Sequence, residues 1–181
     1  IGGSVAATEH SVMCSGSQDG ELETFRRLIT EVYPDGIVSI VSDTWDLWKV
    51  CTEYLTALKE TVLSRNGKVV IRPDSGDPVK IICGDPQGKT AEQRKGVVEL
   101  LWDIFGGSVT EKGYKLLDPH IGAIYGDSIN LERAEAICEG LKAKGFASQV
   151  VFGIGSFTYQ YNTRDTFGLA MKATYVEIGG E

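Results

Sequence analysis

The sequence has no long apolar run and no excess of positive charge. None of its 181 residues lies in an apolar stretch that approaches the roughly 20 residues of a transmembrane helix. Lys and Arg number 18 against 25 Asp and Glu, which gives a net charge of −7. Proteins that bind nucleic acid are usually basic or carry a basic stripe. The composition therefore predicts a globular domain that binds neither nucleic acid nor a membrane.

Cysteine is scarce and widely spaced, and no C-x-x-C pair is present. The four cysteines are Cys14, Cys51, Cys83 and Cys138. Neither a zinc knuckle nor a disulfide scaffold is expected from such spacing, so we expect a reducing, cytoplasmic location. The pattern of a secretory signal is also missing. The chain begins at Ile1 rather than at Met, which fits either removal of a tag or a segment cut from a longer protein, and the number of strands counted below favours the segment.

Short apolar runs alternate with helical patterns along the chain. Continuous apolar runs typical of buried parallel strands occupy residues 36–41, 68–71, 121–125 and 149–152, with a fifth candidate at 171–178. Apolar residues at helical spacing predict helices at 21–32, 44–58, 91–105 and 131–144. Asn130 is the expected N-cap of the last helix, and Gly145 follows its C-terminus. This alternation predicts an α/β fold with parallel strands.

Two architectures with parallel strands fit this pattern, an open doubly wound sheet and a barrel. A complete eightfold barrel takes about 250 residues, and only five or six strand–helix units are recognisable here. A solitary partial barrel would expose unpaired edge strands. The chain is therefore either an open sheet or an incomplete TIM-like (β/α) barrel. Of the connections, residues 73–90 are predicted to form one long loop and residues 108–117 a hairpin.

An aspartate follows each of three successive predicted strands. Asp43, Asp74 and Asp127 all come shortly after the carboxyl end of an apolar run. In α/β folds the chemistry lies beyond these ends. A single such aspartate is often only a helix cap or a turn residue. The interpretation as a helix cap applies especially to Asp43, because a predicted helix follows it. Three carboxylates on one rim repel one another unless a cation or a polyol ligand satisfies them.

The fourth strand is followed by a glycine loop, Gly153-Ile-Gly-Ser156. Such a loop lets backbone N–H groups approach an anion, so a phosphate site is one reading, with Arg164 and Lys172 as cationic partners or as solvated surface charges. The run from Gly84 to Thr90 is one residue too short for a P-loop. Of the two histidines, His10 lies beside Glu9 and fits a catalytic role and a structural role equally well from spacing alone, whereas His120 is interpreted as structural.

Taken together, these motifs resemble the nicotinamide phosphoribosyltransferases, a family of type II phosphoribosyltransferases. The matching segments are SVAATEHS (4–11), VSD (41–43), IRPDSGDP (71–78), KGYKLL (112–117), YGD (125–127) and FGIGSFTYQYNTRDT (152–166). The resemblance implies the barrel fold and the transfer of phosphoribose from phosphoribosyl pyrophosphate to nicotinamide. It also implies Mg²⁺, whose ligands the sequence does not identify, and coupling to ATP hydrolysis through a phosphorylated histidine.

The resemblance assigns roles to particular residues. His10 matches the phosphorylated histidine and Asp43 the aspartate that orients it, while Asp74 and Arg72 match residues that line the ribose and pyridine pocket. The other matching positions are Ser39 along the pyridine tunnel, Gly126 and Asp127 for the ribose, Gly155, Ser156 and Arg164 for the 5′-phosphate, and Lys172 for the phosphate region.

The resemblance also implies what residues 1–181 lack. Family members are longer chains and act as homodimers whose second subunit completes the active site, so the N- and C-terminal parts of the enzyme are expected to be absent and the segment alone to be a poor enzyme. Two alternatives remain open. One is a nicotinate phosphoribosyltransferase, which shares the fold and the ribose-phosphate chemistry. The other is a non-catalytic phosphosugar-binding domain.

Overall fold

The computed structural model describes residues 5–154, 162, 164–168, 171, 175–177 and 179. Within them the chain is a mixed α/β structure built on a parallel sheet. The strands are β1 (Ala6–Ala7), β2 (Asp35–Val41), β3 (Asn66–Arg72), β4 (Gly107–Val109), β5 (Lys115–Leu117), β6 (Ile121–Tyr125) and β7 (Val151–Phe152).

The main sheet follows the order of the chain. Its strands lie in the order β1-β2-β3-β6-β7, and each pair of neighbours is parallel. The register places Val41 opposite Arg72 and Tyr125 opposite Phe152. The carboxyl ends of these strands therefore lie along one edge of the sheet. The predicted parallel α/β arrangement is confirmed.

Helices cover the chain between the strands. They are α1 (His10–Ser15), α2 (Glu21–Arg27), α3 (Leu47–Lys49), α4 (Leu55–Ala57), α5 (Lys59–Leu63), α6 (Pro78–Cys83), α7 (Ala91–Lys95), α8 (Val97–Phe105) and α9 (Leu131–Ala143). Two π-helical turns, Leu28–Val32 and Val50–Tyr54, continue α2 and join α3 to α4. A 3₁₀ helix spans Arg164–Phe167.

Several local predictions are confirmed. The helical pattern at 21–32 is α2 with its π turn. Asn130 caps α9, because its side chain accepts a hydrogen bond from the Arg133 N–H, and Gly145 follows that helix with a φ of 76°. The predicted hairpin at 108–117 is the antiparallel pair β4–β5, which turns through Gly113.

The loop predicted at 73–90 was wrong, since it contains helix α6. Its Pro and Asp residues mark the start of this helix. The Asp77 side chain accepts hydrogen bonds from the N–H groups of Val79 and Lys80, and Pro78 occupies the first turn, where it has no N–H to leave unpaired. Proline and aspartate that looked like loop residues are therefore helix-initiating residues here.

The helix predicted at 91–105 is two helices, α7 and α8, separated at Gly96. This glycine has a φ of 79°, a left-handed conformation that ends a helix. A Cβ at this position would lie 2.2 Å from the Gly84 backbone nitrogen. The break therefore lets the chain pass close to the end of α6, a contact that apolar spacing does not reveal.

Other boundaries differ from the sequence-based prediction. The helix expected from residue 44 begins at Leu47, because Asp46 caps it by accepting from the Trp48 and Lys49 N–H groups. Strand β1 and helix α1 were not predicted, since both are very short. Strand β7 covers only two residues of the apolar run 149–152. In the candidate strand 171–178, the described residues 171 and 175–177 belong to no strand.

The core lies on both faces of the sheet. The last four residues of β2 are all buried, as in a parallel strand covered on both sides. Val97 and Leu101 of α8, and Ile137 and Leu141 of α9, pack into the same apolar core. The four cysteines all lie in the described part of the chain, and all are free thiols. In that part, no helix has the length and apolar character to cross a membrane.

Candidate functional site

Asp43 lies at the centre of a hydrogen-bonded cluster beyond the end of β2. Its Oδ1 lies 3.1 Å from His10 Nε2, at the start of α1. Its Oδ2 accepts from the Asp74 N–H at 2.8 Å and from the Ser75 hydroxyl at 2.6 Å. The Asp43 side chain is only 6% exposed. Asp43 is therefore not the cap of the helix that follows it, a role that Asp46 takes.

These contacts keep the Asp43 carboxyl ionised. Burial by itself would raise the pKa of Asp43, but the hydrogen bonds from Ser75 and Asp74 and the interaction with His10 outweigh it, and the net pKa is lowered. An ionised carboxylate only accepts hydrogen bonds. His10 Nε2 is consequently the donor, which leaves Nδ1 of a neutral ring with its lone pair free.

Asp74 has the opposite electrostatic environment. Burial raises its pKa, Arg72 lowers it, and the negative charges of Asp43 and Asp127 raise it again, so that the net pKa is raised. Asp127 itself accepts from the Ser128 hydroxyl at 2.6 Å. The three aspartates predicted to share one rim are thus close enough to influence one another, and their convergence is confirmed.

Arg72, the last residue of β3, connects this cluster to the beginning of the chain. Its Nη2 donates to the Thr8 carbonyl and lies 3.2 Å from Glu9 Oε1. Its Nε is buried, and none of the residues that the structure describes forms a hydrogen bond with it. Thr8 also accepts from the Val41 N–H through its hydroxyl. The segment that carries His10 is thereby held against the ends of β2 and β3.

Ser39 lies within β2, four residues before Asp43. It is 5% exposed, and within the described part of the chain its hydroxyl has no hydrogen-bond partner. Buried hydroxyls are ordinarily hydrogen-bonded. Ser39 is therefore a position at which an added polar group would be accommodated favourably, whereas its place along a pyridine tunnel stays a prediction.

Glycines bring the ends of β6 and β7 together. The Gly153 N–H donates to the Tyr125 carbonyl at 2.8 Å, and a Cβ on Gly153 would lie 2.6 Å from the Gly126 Cα. A Cβ on Gly126 would lie 2.9 Å from Asp74 Oδ1. The glycine loop thus begins beside Gly126 and Asp127, as the strand order requires.

The remainder of the predicted phosphate site lies outside the described residues. This applies to Gly155, Ser156 and Lys172 and to the Arg164 side chain; the Arg164 backbone belongs to the 3₁₀ helix. The phosphate-binding roles of these four residues stay predictions.

His120 lies away from the cluster. It precedes β6 at the amino end of that strand, whereas Asp127 follows the carboxyl end. Its Nδ1 lies 2.8 Å from Asp118 Oδ1. This local contact agrees with the structural interpretation of His120.

Two residues of the cluster were not singled out by the sequence. Ser75 contacts Asp43 as described, and the buried Tyr125 donates from its hydroxyl to the Gly76 carbonyl at 2.9 Å. Ser75 lies inside the IRPDSGDP motif, so the motif contained the signal for it. Because Tyr125 ends an apolar run, the sequence predicts only that it is a core residue. No sequence pattern indicates the contact that its hydroxyl makes.

The cluster is open to solvent rather than enclosed. The His10 side chain is 39% exposed, and Ser75 and Asp127 are both exposed. A groove of about 240 Å³ elsewhere, between the residues around Cys51 and those of α7 and α8, is lined by none of the cluster residues. The candidate site is therefore identified by its chemistry and not by the size of a cavity. Carboxylates, one histidine and one arginine meet there at the ends of strands.

Comparison with known proteins gives this arrangement a family context. The nicotinate phosphoribosyltransferase (NAPRTase) family matches residues 1–181. A protein of Acinetobacter baylyi named nicotinamide phosphoribosyltransferase is 62% identical over 188 aligned residues, covering 99% of this chain and 37% of that protein. Proteins of the same name from Mycoplasma pneumoniae and Xanthomonas campestris are 45% and 37% identical, over 97% and 99% of this chain. The chain spans less than two fifths of the length of these relatives, 36% to 39%.

Proposed function

We propose, because this chain belongs to the nicotinate phosphoribosyltransferase (NAPRTase) family, that the protein it is part of transfers phosphoribose from phosphoribosyl pyrophosphate to nicotinamide. The products are nicotinamide mononucleotide and pyrophosphate, a step of NAD salvage. The name carried by relatives up to 62% identical supports nicotinamide as the acceptor. The observation that carries the proposal is the meeting of His10, Asp43, Asp74 and Asp127 beyond the ends of parallel strands.

The geometry suits substitution at the anomeric carbon of the ribose. The ring nitrogen of nicotinamide forms the new C–N bond, while the bond from the anomeric carbon to pyrophosphate breaks and its electron pair leaves with the pyrophosphate. The sugar becomes positively charged, as an oxocarbenium ion, during this exchange. Asp74 and Asp127 stabilise that charge as carboxylates, and Gly126 leaves room for the ribose beside them. Nicotinamide is already a nucleophile, so no strong base is required.

The same carboxylates have the chemistry to hold Mg²⁺. Protein sites for this ion commonly supply one or two carboxylates and leave the remaining positions to water and substrate phosphates. Asp74 and Asp127 repel each other electrostatically, and a cation between them would relieve that repulsion. Asp43 is not available, because both of its oxygens accept hydrogen bonds. Mg²⁺ would neutralise charge on the departing pyrophosphate.

His10 is proposed to accept a phosphoryl group from ATP. Its Nδ1 forms the N–P bond with the γ-phosphoryl group while the P–O bond to ADP breaks. Asp43 holds the Nε2 proton and balances the positive charge that develops on the ring. The phosphorylated His10 acts by coupling ATP hydrolysis to productive substrate binding, rather than by proton transfer.

The fold proposed for the whole protein is a TIM-like (β/α) barrel, of which residues 1–181 are an incomplete part. Among the described strands, sheet order follows chain order, without the reversal that marks a doubly wound sheet. The chain's short share of its relatives' length is consistent with further strands elsewhere. We also propose a homodimer in the cytoplasm, a reducing compartment that suits four free thiols.

The proposal is tested by measuring nicotinamide mononucleotide formation by the full-length protein, with and without ATP. Wild-type protein is expected to form product, and ATP is expected to accelerate it. His10→Ala should abolish the ATP effect and leave a slower ATP-independent reaction. His120→Ala is the matched control, since it removes the other histidine of this chain at the far end of the sheet. An undiminished ATP effect in His10→Ala would refute the role of His10.

Nicotinate as the acceptor is the second candidate, because the description of the matching family names it. Parallel assays with the two pyridines distinguish the candidates. A higher kcat/KM for nicotinate would reassign the substrate while leaving the phosphoribosyl chemistry in place. Absence of product with either pyridine would favour the non-catalytic, phosphosugar-binding alternative.

A further inference from the structure

The two oxygens of the Asp43 carboxylate have different partners. Among the described residues Oδ1 contacts only His10, while Oδ2 accepts from the Ser75 hydroxyl at 2.6 Å and the Asp74 N–H at 2.8 Å. Partial rotation of the carboxylate about its Cβ–Cγ bond would move both oxygens away from these partners and break the contacts. The two donors on Oδ2 therefore determine which way Oδ1 points.

We infer that Ser75 is a positioning residue, whose hydroxyl fixes the Asp43 carboxylate so that Oδ1 holds the His10 ring. Ser75 does not reach His10 in this geometry and acts on it only through Asp43. The expected effect on catalysis rests on the proposed role of His10. The arrangement of Ser75, Asp43 and His10 does not depend on that role.

The Ser75 hydroxyl can be removed without disturbing the conformation of its loop. Ser75 is exposed, so its side chain adds nothing to the apolar core. The loop is also attached on both sides of Ser75. The Asp74 N–H bonds to Asp43, and the buried Tyr125 hydroxyl donates to the Gly76 carbonyl at 2.9 Å. Removing the hydroxyl alone should leave the loop in place and release one of the two constraints on the carboxylate.

Three variants of the full-length protein separate these effects. Ser75→Ala removes the hydroxyl. Ser75→Thr keeps it and adds a methyl group at an exposed position, where there is room. Ser64→Ala is the matched control, because Ser64 is also exposed and its hydroxyl donates to the Thr61 carbonyl at the end of α5, away from Asp43.

The first measurement is the rate at which diethyl pyrocarbonate modifies His10, followed by mass spectrometry of the peptide that contains it. The held ring presents only Nδ1 as an unprotonated nitrogen, whereas a ring no longer held by Oδ1 can turn and present either nitrogen to the reagent, so Ser75→Ala should react severalfold faster than wild type. Ser75→Thr and Ser64→Ala should react at the wild-type rate. His120 in each protein provides an internal reference, since it contacts Asp118 rather than Asp43.

The second measurement is ATP-stimulated turnover. Loss of one hydrogen bond to the ionised Asp43 carboxylate should lower kcat roughly tenfold in Ser75→Ala, with the KM for nicotinamide unchanged and with recovery in Ser75→Thr. A merely structural role would lower the apparent kcat only in proportion to the folded fraction, also with an unchanged KM. The folded fraction of each variant is therefore measured by circular dichroism, and kcat is expressed per folded protein.

The outcomes distinguish the inference from the proposed function. Equal His10 modification rates in wild type and Ser75→Ala would overturn the inference, whatever activity the protein has. A faster rate of His10 modification in Ser75→Ala supports the inference, whether or not the wild-type protein shows ATP-stimulated turnover. If the wild-type protein shows no ATP-stimulated turnover, only the proposed function of His10 is refuted.

Discussion

Two glycines at the carboxyl ends of β6 and β7 offer a test of how the site is assembled. A methyl group on Gly153 would lie 2.6 Å from the Gly126 Cα and 3.0 Å from its carbonyl oxygen, both backbone atoms of the neighbouring strand end. A methyl group on Gly126 would instead lie 2.9 Å from Asp74 Oδ1, the end of a side chain. The same chemical change therefore meets a rigid obstacle at one glycine and a movable one at the other.

The expected energies differ accordingly. Overpacking against backbone costs about 1–3 kcal/mol, and replacing glycine returns about 0.4–1 kcal/mol by restricting the unfolded chain. Gly153→Ala should therefore lower the free energy of unfolding by about 1–2 kcal/mol. Gly126→Ala should leave stability near that of wild type, because Asp74 can rotate away. That rotation moves a proposed catalytic carboxylate, so kcat/KM should fall at least tenfold, equivalent to about 1.4 kcal/mol.

The assay compares thermal unfolding and steady-state kinetics of the full-length wild type, Gly153→Ala and Gly126→Ala. Gly153→Ala should show the lower Tm, and Gly126→Ala the loss of activity at nearly unchanged Tm. The reasoning is refuted if Gly126→Ala retains wild-type kcat/KM, because Asp74 would then not need the position it occupies. It is also refuted if Gly153→Ala is as stable as wild type, because β6 and β7 would then not approach so closely.

Three further predictions concern stability. Burial and the negative charge of Asp46 raise the pKa of Glu21 to about 7. The stability that this group contributes is complete below pH 4.5 and is lost as the pH rises to about 7. Glu21→Gln should therefore raise Tm more at pH 8 than at pH 5, by an amount corresponding to at most roughly 3 kcal/mol. Tyr125→Phe should cost about 1 kcal/mol in urea unfolding, because the Gly76 carbonyl loses its donor; an unchanged midpoint would contradict this. Lys144→Met should lower Tm by releasing α9 from Glu99 and from the end of α7, and Lys142→Met, which loses only an exposed pair on its own helix, is the control.

The aspartate rim could be predicted because it depends on local patterns. An apolar run predicts a buried strand, and the residue after the run is then at the strand's end. Parallel strands end at the same edge, so Asp43, Asp74 and Asp127 had to converge once the strands were recognised. No contact between distant residues was needed for that inference.

The hydrogen bonds within the site could not be predicted in the same way. His10, Asp74 and Ser75 lie 31 to 33 positions from Asp43 in the sequence. The meeting of Ser75 with Oδ2 depends on the path of its loop, which turns at Gly76 with a φ of 89° and is attached to Tyr125. Residue periodicity carries no information on such a path.

The sequence by itself thus determined the parallel α/β class, the caps at Asn130 and Gly145, and the edge of the sheet where the aspartates lie. It did so because strand period, helix period and capping chemistry are properties of neighbouring residues. The tertiary structure alone decided that Ser75 occupies one carboxylate oxygen of Asp43 and that Gly96 divides a helix, and it placed His10 against the other oxygen, a pairing that only the family resemblance had implied. These features depend on distances between segments far apart in the chain, which only the packed molecule sets.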